Sequence, residues 1–230
     1  MGRMSVRWIS CAAMLSMMAW GGVAHAKAVE TGGYAISGFT LGDWSKIAGF
    51  PLGFQTSNII TPNPDKPLRI RSLVGLMYNF SRTVNVPQQN YGNANDLLQL
   101  TTKNTSVLFG IGPEFGPSKG DSQPFVYGTV GFDTYWTSSN LAGTVNGKPY
   151  YSSNGDSRIG FAWAAGLGIR KVVGHGEKLE LSAEYRSGNG HRYLKPDQIT
   201  TTPGNDSPTM SRDSRSTDQI VIRLGSTLGQ

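Results

Sequence analysis

RIGFAWAAGLGIRKVVGHGEKLELSAEYR, Arg158 to Arg186, is the stretch whose reading decides the fold. In its first half Ile159, Phe161, Trp163, Ala165, Leu167 and Ile169 fall on one face. Arg158, Gly160, Ala162, Ala164, Gly166, Gly168 and Arg170 fall on the other. In its second half Leu179, Leu181, Ala183 and Tyr185 alternate with Glu180, Ser182, Glu184 and Arg186. Period-two alternation argues strand, and the link Gly174-His175-Gly176 argues hairpin. Each strand has one greasy face and one small or charged face. A soluble sandwich would turn the charged face to water, whereas a membrane barrel turns the greasy face to lipid and the charged face into its lumen.

Outward from this hairpin, further alternating segments follow the same rule. They are Gly33 to Leu41, Gly49 to Ser57, Pro67 to Thr83, Asn104 to Gly116, Gln123 to Thr137 and Asp218 to Leu228, making eight strands with the pair above. Pro51 is awkward inside the second, and a short amphipathic helix over Asp43 to Ala48 competes for part of that region. The connections Asn58 to Lys66, Pro117 to Ser122 and Val173 to Glu177 are short. Val84 to Lys103, Ser138 to Asp156 and Gly188 to Thr217 are long, polar and read as loops. Short turns at one rim and long loops at the other are what outer-membrane barrels show. The expected fold is therefore all-β: an eight-stranded antiparallel transmembrane β-barrel with short periplasmic turns and long extracellular loops.

The termini and composition agree. Arg3 and Arg7 precede an apolar run from Trp8 to Trp20, and Ala24 and Ala26 are the small residues a signal peptidase requires. Residues 1–26 are expected to be a cleaved signal peptide and 27–230 the barrel domain. The single Cys, Cys11, leaves with the signal, so no disulfide holds the fold. Of 21 Lys and Arg residues, all but Arg3 and Arg7 remain, against 15 Asp and Glu. So mild a surplus reads as a solvated surface and speaks against nucleic acid as a partner.

With the greasy face outward, the inward set contains Arg69, Arg71, Arg158, Arg170, Arg186 and Arg223 together with Glu114, Asp133, Glu180 and Glu184. Buried charges of both signs are expected to pair, because an unpaired one is costly. Inward Gly75, Gly110, Gly112, Gly131, Gly160, Gly166 and Gly168 are expected to make room for them. Eight strands enclose a space just wide enough for side chains to fill. The expectation is a lumen plugged by an ion-pair network, with a small-solute channel as one alternative.

The segments VLFGIGPEFG, PFVYGTVGFDTYW, GFAWAAGLGI and LELSAEYR resemble, in this order, the second half of small outer-membrane barrels of the OmpX/Ail type. The resemblance covers about half the mature chain and rests on barrel chemistry. It departs at the C-terminus: such barrels usually end in an aromatic residue, and this chain ends Ser226-Thr227-Leu228-Gly229-Gln230. It implies no enzymatic activity and no cofactor. It implies adhesion, complement resistance or envelope integrity carried by the long loops, and the chain is expected to be a monomer in the outer membrane, in contact with lipid and lipopolysaccharide.

Chemistry elsewhere is sparse. His175 lies in a tight turn, and His191 has no second ligand at metal-site spacing. The enzymatic alternative is a lipid A deacylase-like barrel, whose His-x-Ser-Asn-Gly-like motif would fall on Tyr185 to Gly190. Asn189 and Gly190 align, but Arg186 stands at the His position and Gly188 at the Ser position, so neither base nor nucleophile is in register. Ser187 and His191 would serve only with a shift. Ion pairing explains Glu114, Glu180 and Glu184 better than acid–base work does. Arg192, Lys195, Asp197, Asp206, Arg212, Asp213 and Arg215 are mixed in sign and read as a solvated face within reach of lipopolysaccharide phosphates. Tyr135, Trp136, Tyr150 and Tyr151 are expected in an aromatic belt.

Overall fold

The computed structural model describes residues 28–174, 176–189 and 191–229, the side chains of His191 and of residues 213–215 excepted. The expected signal segment with Ala24 and Ala26, and His175, lie outside the described residues. Ten strands follow one another: β1 (Ala28–Thr40), β2 (Pro51–Thr61), β3 (Leu68–Asn85), β4 (Leu97–Phe115), β5 (Ser122–Val145), β6 (Lys148–Val172), β7 (Glu177–Gly188), β8 (His191–Thr200), β9 (Thr209–Arg215) and β10 (Gln219–Gly229). Eight of them close a barrel in the order β1-β10-β7-β6-β5-β4-β3-β2, every pair antiparallel. Closure comes from β1 against β10, from Glu30↔Gly229 to Thr40↔Gln219, so no strand of the ring is left with an open edge at barrel height. β8 and β9 form a separate hairpin.

The alternation read from the sequence sets the faces. Leu52, Phe54, Leu76, Phe132, Ile159, Leu181 and Leu224 point out, and Leu167 is 64% exposed. Between them Arg69, Arg71, Glu114, Arg170, Glu180 and Arg223 are fully buried. Pro51 is tolerated because it is the first residue of its strand, where a missing N–H costs least. The competing helix reduces to one 3-10 turn, Gly42–Lys46.

The three long loops need correction. Pairing of β3, β4, β5 and β6 continues well past the barrel rim, to Asn85↔Gln99, Leu97↔Thr144 and Val145↔Lys148. The pairing of β6 with β7 stops at Ala162↔Gly188, and that of β2 with β3 at Pro51↔Asn79. A four-stranded wall thus rises above the ring. Its β5–β6 end is a two-residue turn with Asn146 at φ 49° and Gly147 at φ 75°, the left-handed pair that a tight hairpin requires. The third loop holds β8 and β9. These segments look like loops because a strand above the bilayer has a wet outer face, so polar residues replace the greasy alternation that marks the strands below.

Inward Leu98, Leu100, Leu141 and Val145 of the wall, with Val86, pack against Leu194 and Ile199 of β8 as one buried cluster. Polar bonds fasten the same junction. Asn90 Nδ2 donates to the carbonyls of Asp197 and Ile199, both at 3.0 Å, and Thr201 Oγ1 donates to Asp96 Oδ2 at 2.8 Å. Asp96 Oδ1 also accepts the Asn146 backbone N–H at 2.7 Å, which ties the β5–β6 turn to the start of β4 at the wall's tip.

Candidate functional site

The lumen is filled in layers. Near the short-turn rim Lys178 Nζ pairs with Glu30 Oε1 at 2.6 Å, and Arg69 Nε lies 3.0 Å from Glu114 Oε1. Above them Arg71 and Arg170 alternate with Glu114 and Glu180. Glu114 Oε2 accepts Arg71 Nε and Arg170 Nη2, both at 2.7 Å, and its Oε1 accepts Arg170 Nη1 at 2.9 Å. Glu180 Oε2 accepts Arg170 Nε at 2.8 Å, Arg71 Nη2 at 3.0 Å and the Tyr34 hydroxyl at 3.2 Å. Glu184 accepts the Tyr127 hydroxyl and pairs with Arg186, whose Nη2 also reaches Gln55 Oε1 at 3.1 Å. Arg223 bridges the groups, 3.7 Å from Glu180 and 3.8 Å from Glu184.

Aromatic faces lie over three of these cations. Arg170 lies 4.0 Å from the centroid of Phe125, and Arg71 and Arg223 lie 4.9 and 4.7 Å from that of Tyr127. Five guanidiniums therefore share three carboxylates plus ring faces in a space closed to water. Taking such charges out of water is repaid only by geometry of this quality.

Two inward positions depart from the expected cluster. Asp133 is buried but sits a layer away, where a Cβ on Gly188 would fall 2.1 Å from its Oδ2. Arg158 keeps the inward parity yet stands at the mouth, its side chain 45% exposed and its Nε 3.7 Å from Asp156. The glycines also divide. Gly166 makes room in the lumen, since a Cβ there would lie 2.4 Å from the Tyr127 hydroxyl. Gly112 and Gly131 serve the ladder instead, because a Cβ on either would lie 2.0 Å or less from a neighbouring strand's carbonyl oxygen.

The sequence reading missed three parts of the fill. Tyr34 and Tyr127 supply hydroxyls to the carboxylates, as their inward parity allowed. Inward apolar residues, Ile36, Met77 and Val221 in one group and Leu73, Leu108 and Ala162 in another, displace water from the lumen. Finally the β1–β2 connection covers the mouth. Trp44 is buried with Ile47 and Ala48 against Tyr135 and Tyr193, its ring 5.7 Å from Tyr135 and 5.2 Å from Tyr193. Asp43 beside it bonds Lys195 Nζ of β8 at 2.8 Å and Lys46 Nζ at 2.8 Å. Those two ammonium groups hold the Asp43 carboxyl well below the usual range. The lid thus ties the first connection to the last.

Outside, the apolar surface is bounded by aromatic pairs towards the mouth: Tyr78 with Phe80, and Trp163 with Tyr185, each 5.3 Å between ring centroids. Tyr135 and Tyr150, expected here, face the lid and the wall cluster instead. A continuous ring of exposed Leu, Ile, Val and Phe around a closed sheet matches hydrocarbon and not water.

The chain has the fold of a small outer-membrane β-barrel. No family model and no curated relative matches the sequence. Solved structures similar to the barrel include Ail, the attachment invasion locus protein of Yersinia pestis, at 14% identity, covering 88% of this chain and 97% of that one with a TM-score of 0.42. Neisserial surface protein A matches at 9% identity, covering 87% and 95%, with a TM-score of 0.42. The outer-membrane protease OmpT of Escherichia coli matches at 10% identity, covering 89% and 97%, with a TM-score of 0.39. The assignment of fold rests on the barrel's own strand order and register, and fold alone assigns no activity.

At the deacylase-like stretch, Ser187 Oγ donates to Asp218 Oδ1 at 2.7 Å, and Arg186, in the place of a base, points into the lumen towards Glu184. The His191 side chain lies outside the described residues. Among the described residues no group of three His, Cys, Asp or Glu side chains is arranged to hold a metal.

Proposed function

We propose that this chain is a non-enzymatic outer-membrane barrel whose lumen is sealed and whose work is done by the structure above the mouth. The observation that carries the reading is the contrast between the two halves. At the centre of the barrel Arg69, Arg71 and Arg170 pair with Glu114 and Glu180 at 2.7–3.0 Å, so these carboxylates are engaged by arginines and not left for acid–base work. The wall and the β8–β9 hairpin instead present a folded, mostly polar surface to the outside, on a rigid base, where binding residues are usually placed.

In this reading the first 26 residues are removed on export, the barrel is a monomer, and the rim touches lipopolysaccharide while the wall meets host or matrix surfaces. Reconstitution in planar bilayers tests the seal. No stable conductance is expected, and a reproducible long-lived channel would move the function to solute passage. Deleting β8 and β9 from cells that retain a heat-modifiable barrel tests the rest: surface attachment should fall while membrane insertion persists. Under the hydrolase alternative, Ser187→Ala alone would abolish release of an acyl chain from lipid A. The position of Arg186 speaks against that outcome.

A further inference from the structure

The two side edges of the wall differ. On the β3 side the lid segment closes the edge: Gly49 N–H donates to Phe80 O at 3.1 Å, Phe80 N–H donates to Phe50 O at 3.0 Å, and Arg82 Nη1 reaches Ser45 O. On the β6 side, β7 stops at Ala162↔Gly188, and among the described residues the last bond across is Asn189 N–H to Phe161 O at 3.0 Å. β6 continues above that point to Lys148, paired with β5 in an unshifted register. Backbone groups of an antiparallel strand turn alternately to its two sides. Phe161 turns to the β7 side, so Ile159, Ser157, Gly155, Ser153 and Tyr151 do too, and among the described residues their N–H and C=O groups have no partner. None of these residues is buried. Exposed edges are normally blunted by lysine, proline, a bulge or a covering segment. Here Pro149 blunts the tip alone, no lysine lies between it and Ile159, and the register carries no bulge. Tyr151 and Ile159, 69% and 67% exposed, mark the two ends of the edge on its outer face. Ile159 stands above the Trp163–Tyr185 pair that bounds the apolar surface, so lipid does not account for its exposure.

We infer that this edge takes an extended peptide segment of an outside protein as one more antiparallel strand. The inference rests on the reading of the wall as the working part of the protein, and it names the class of partner. The seat continues the ladder that β6 makes with β7, so a strand is the shape that fits it, and main-chain bonds supply the affinity. Partner residues opposite Tyr151, Ser153, Gly155, Ser157 and Ile159 bond to their backbone and share the outer face. A Cβ on Gly155 would meet nothing nearer than Thr137 O at 3.9 Å, so that face is open at its middle. Large or β-branched partner side chains fit beside the small Ser153, Gly155 and Ser157, with Tyr151 and Ile159 as apolar neighbours. Partner residues opposite Ser152, Asn154, Asp156 and Arg158 turn towards the mouth. Arg158 keeps 45% of its side chain exposed although Asp156 lies 3.7 Å away, so a carboxylate suits the position opposite it. The partner is an extended segment, apolar at alternate positions, with an acidic residue near its N-terminal end.

The test uses the purified full-length barrel in detergent and a capped, fluorescein-labelled peptide, Val-Glu-Val-Thr-Val-Thr-Val-Thr-Val, followed by anisotropy. Saturable binding is expected. N-methylation of the central valines, whose N–H groups face β6, should abolish it, whereas N-methylation of the threonines, whose N–H groups face away, should leave it intact. Side-chain adhesion alone would not tell the two peptides apart. Ser157→Pro removes an edge N–H without touching a bond to β5 and should weaken binding about tenfold, the scale of a lost hydrogen bond. Heat-modifiable migration shows that the variant keeps its barrel, and the methylated peptides test the parent protein itself. Arg158→Gln should weaken the peptide several-fold and leave its Glu-to-Gln counterpart unaffected. In hydrogen exchange, the amides of Ser153, Gly155 and Ser157 should exchange freely until peptide is added, while those of Ser152, Asn154 and Asp156 stay protected throughout. No saturable binding, equal binding of the two methylated peptides, or protection of Ser153, Gly155 and Ser157 without peptide would overturn the inference. The adhesive reading is judged separately, by attachment of cells lacking β8 and β9: a fall in attachment beside a peptide that does not bind would remove the edge and keep the adhesin. Peptide binding without any attachment of cells would do the reverse.

Discussion

Replacing Glu180 with alanine removes the carboxylate that Arg71, Arg170 and Tyr34 all address. Arg71 and Arg170 each retain Glu114 at 2.7 Å, so neither loses every partner. Arg223 retains one carboxylate, Glu184 at 3.8 Å, together with its Nε bond to Ser182 Oγ at 3.0 Å and the Tyr127 ring at 4.7 Å. Breaking a buried ion pair from one side costs about 3–5 kcal/mol, because the charge left behind has neither water nor a counter-ion. The surviving Glu114 bonds place Glu180→Ala at the lower end of that range, about 3 kcal/mol. Glu180→Gln keeps the shape and one acceptor oxygen, and its cost should be smaller, about 2 kcal/mol, on the scale of a hydrogen bond to a charged group.

Urea unfolding in lipid vesicles, followed by tryptophan emission and by the shift between folded and unfolded bands on a gel, reads both values. The double variant Glu180→Ala/Arg170→Ala should recover part of the loss, since it removes one of the stranded cations, and the shortfall from additivity measures the coupling. A Glu180→Ala barrel within about 0.5 kcal/mol of the parent would refute the reasoning. That result would mean that lumen water screens these pairs as it screens pairs at a surface, and the sealed lumen would go with it.

Acid should weaken the lid only well below neutral pH. The Asp43 carboxyl is held below its unfolded value of about 3.9, so its contribution is complete above that pH and is lost as pH falls further. The lid's contribution to tryptophan emission should be flat from neutral pH to about 4 and change only below it; a change beginning near pH 6 would point to another group. Leu100→Ala, which empties a fully buried position in the wall cluster, should cost about 2–5 kcal/mol locally, exposing the wall to protease while the barrel's gel shift is unchanged. Protease added to whole cells should cut near Asn146-Gly147 and in the 201–208 turn and spare 62–67 and 116–121, and N-terminal sequencing of the mature protein should begin at Lys27.

Much of this was legible in one dimension, for one physical reason. A strand shows its two faces at every second residue, so the bilayer and the lumen each leave a continuous record along the chain. That record placed Leu167 and Leu181 outside and Arg71, Glu114, Arg170 and Glu180 inside, and the alternation of short and long connections placed the two rims. The same logic failed above the bilayer. There both faces of a strand can be polar, so the pairing of Asn85 with Gln99 and of Val145 with Lys148 left no periodic mark strong enough to separate strand from loop.

Only the tertiary structure decided which inward charges meet. Parity puts Arg158 and Arg170 on the same face of β6, but height along the barrel sends one to the solvent-open mouth beside Asp156 and the other to the dry centre beside Glu114. It likewise sends Trp44 and Tyr193, distant in sequence, to one lid. Faces are a local property of the backbone, fixed residue by residue. Partners across a lumen depend on strand stagger and closure, which exist only once β1 has met β10.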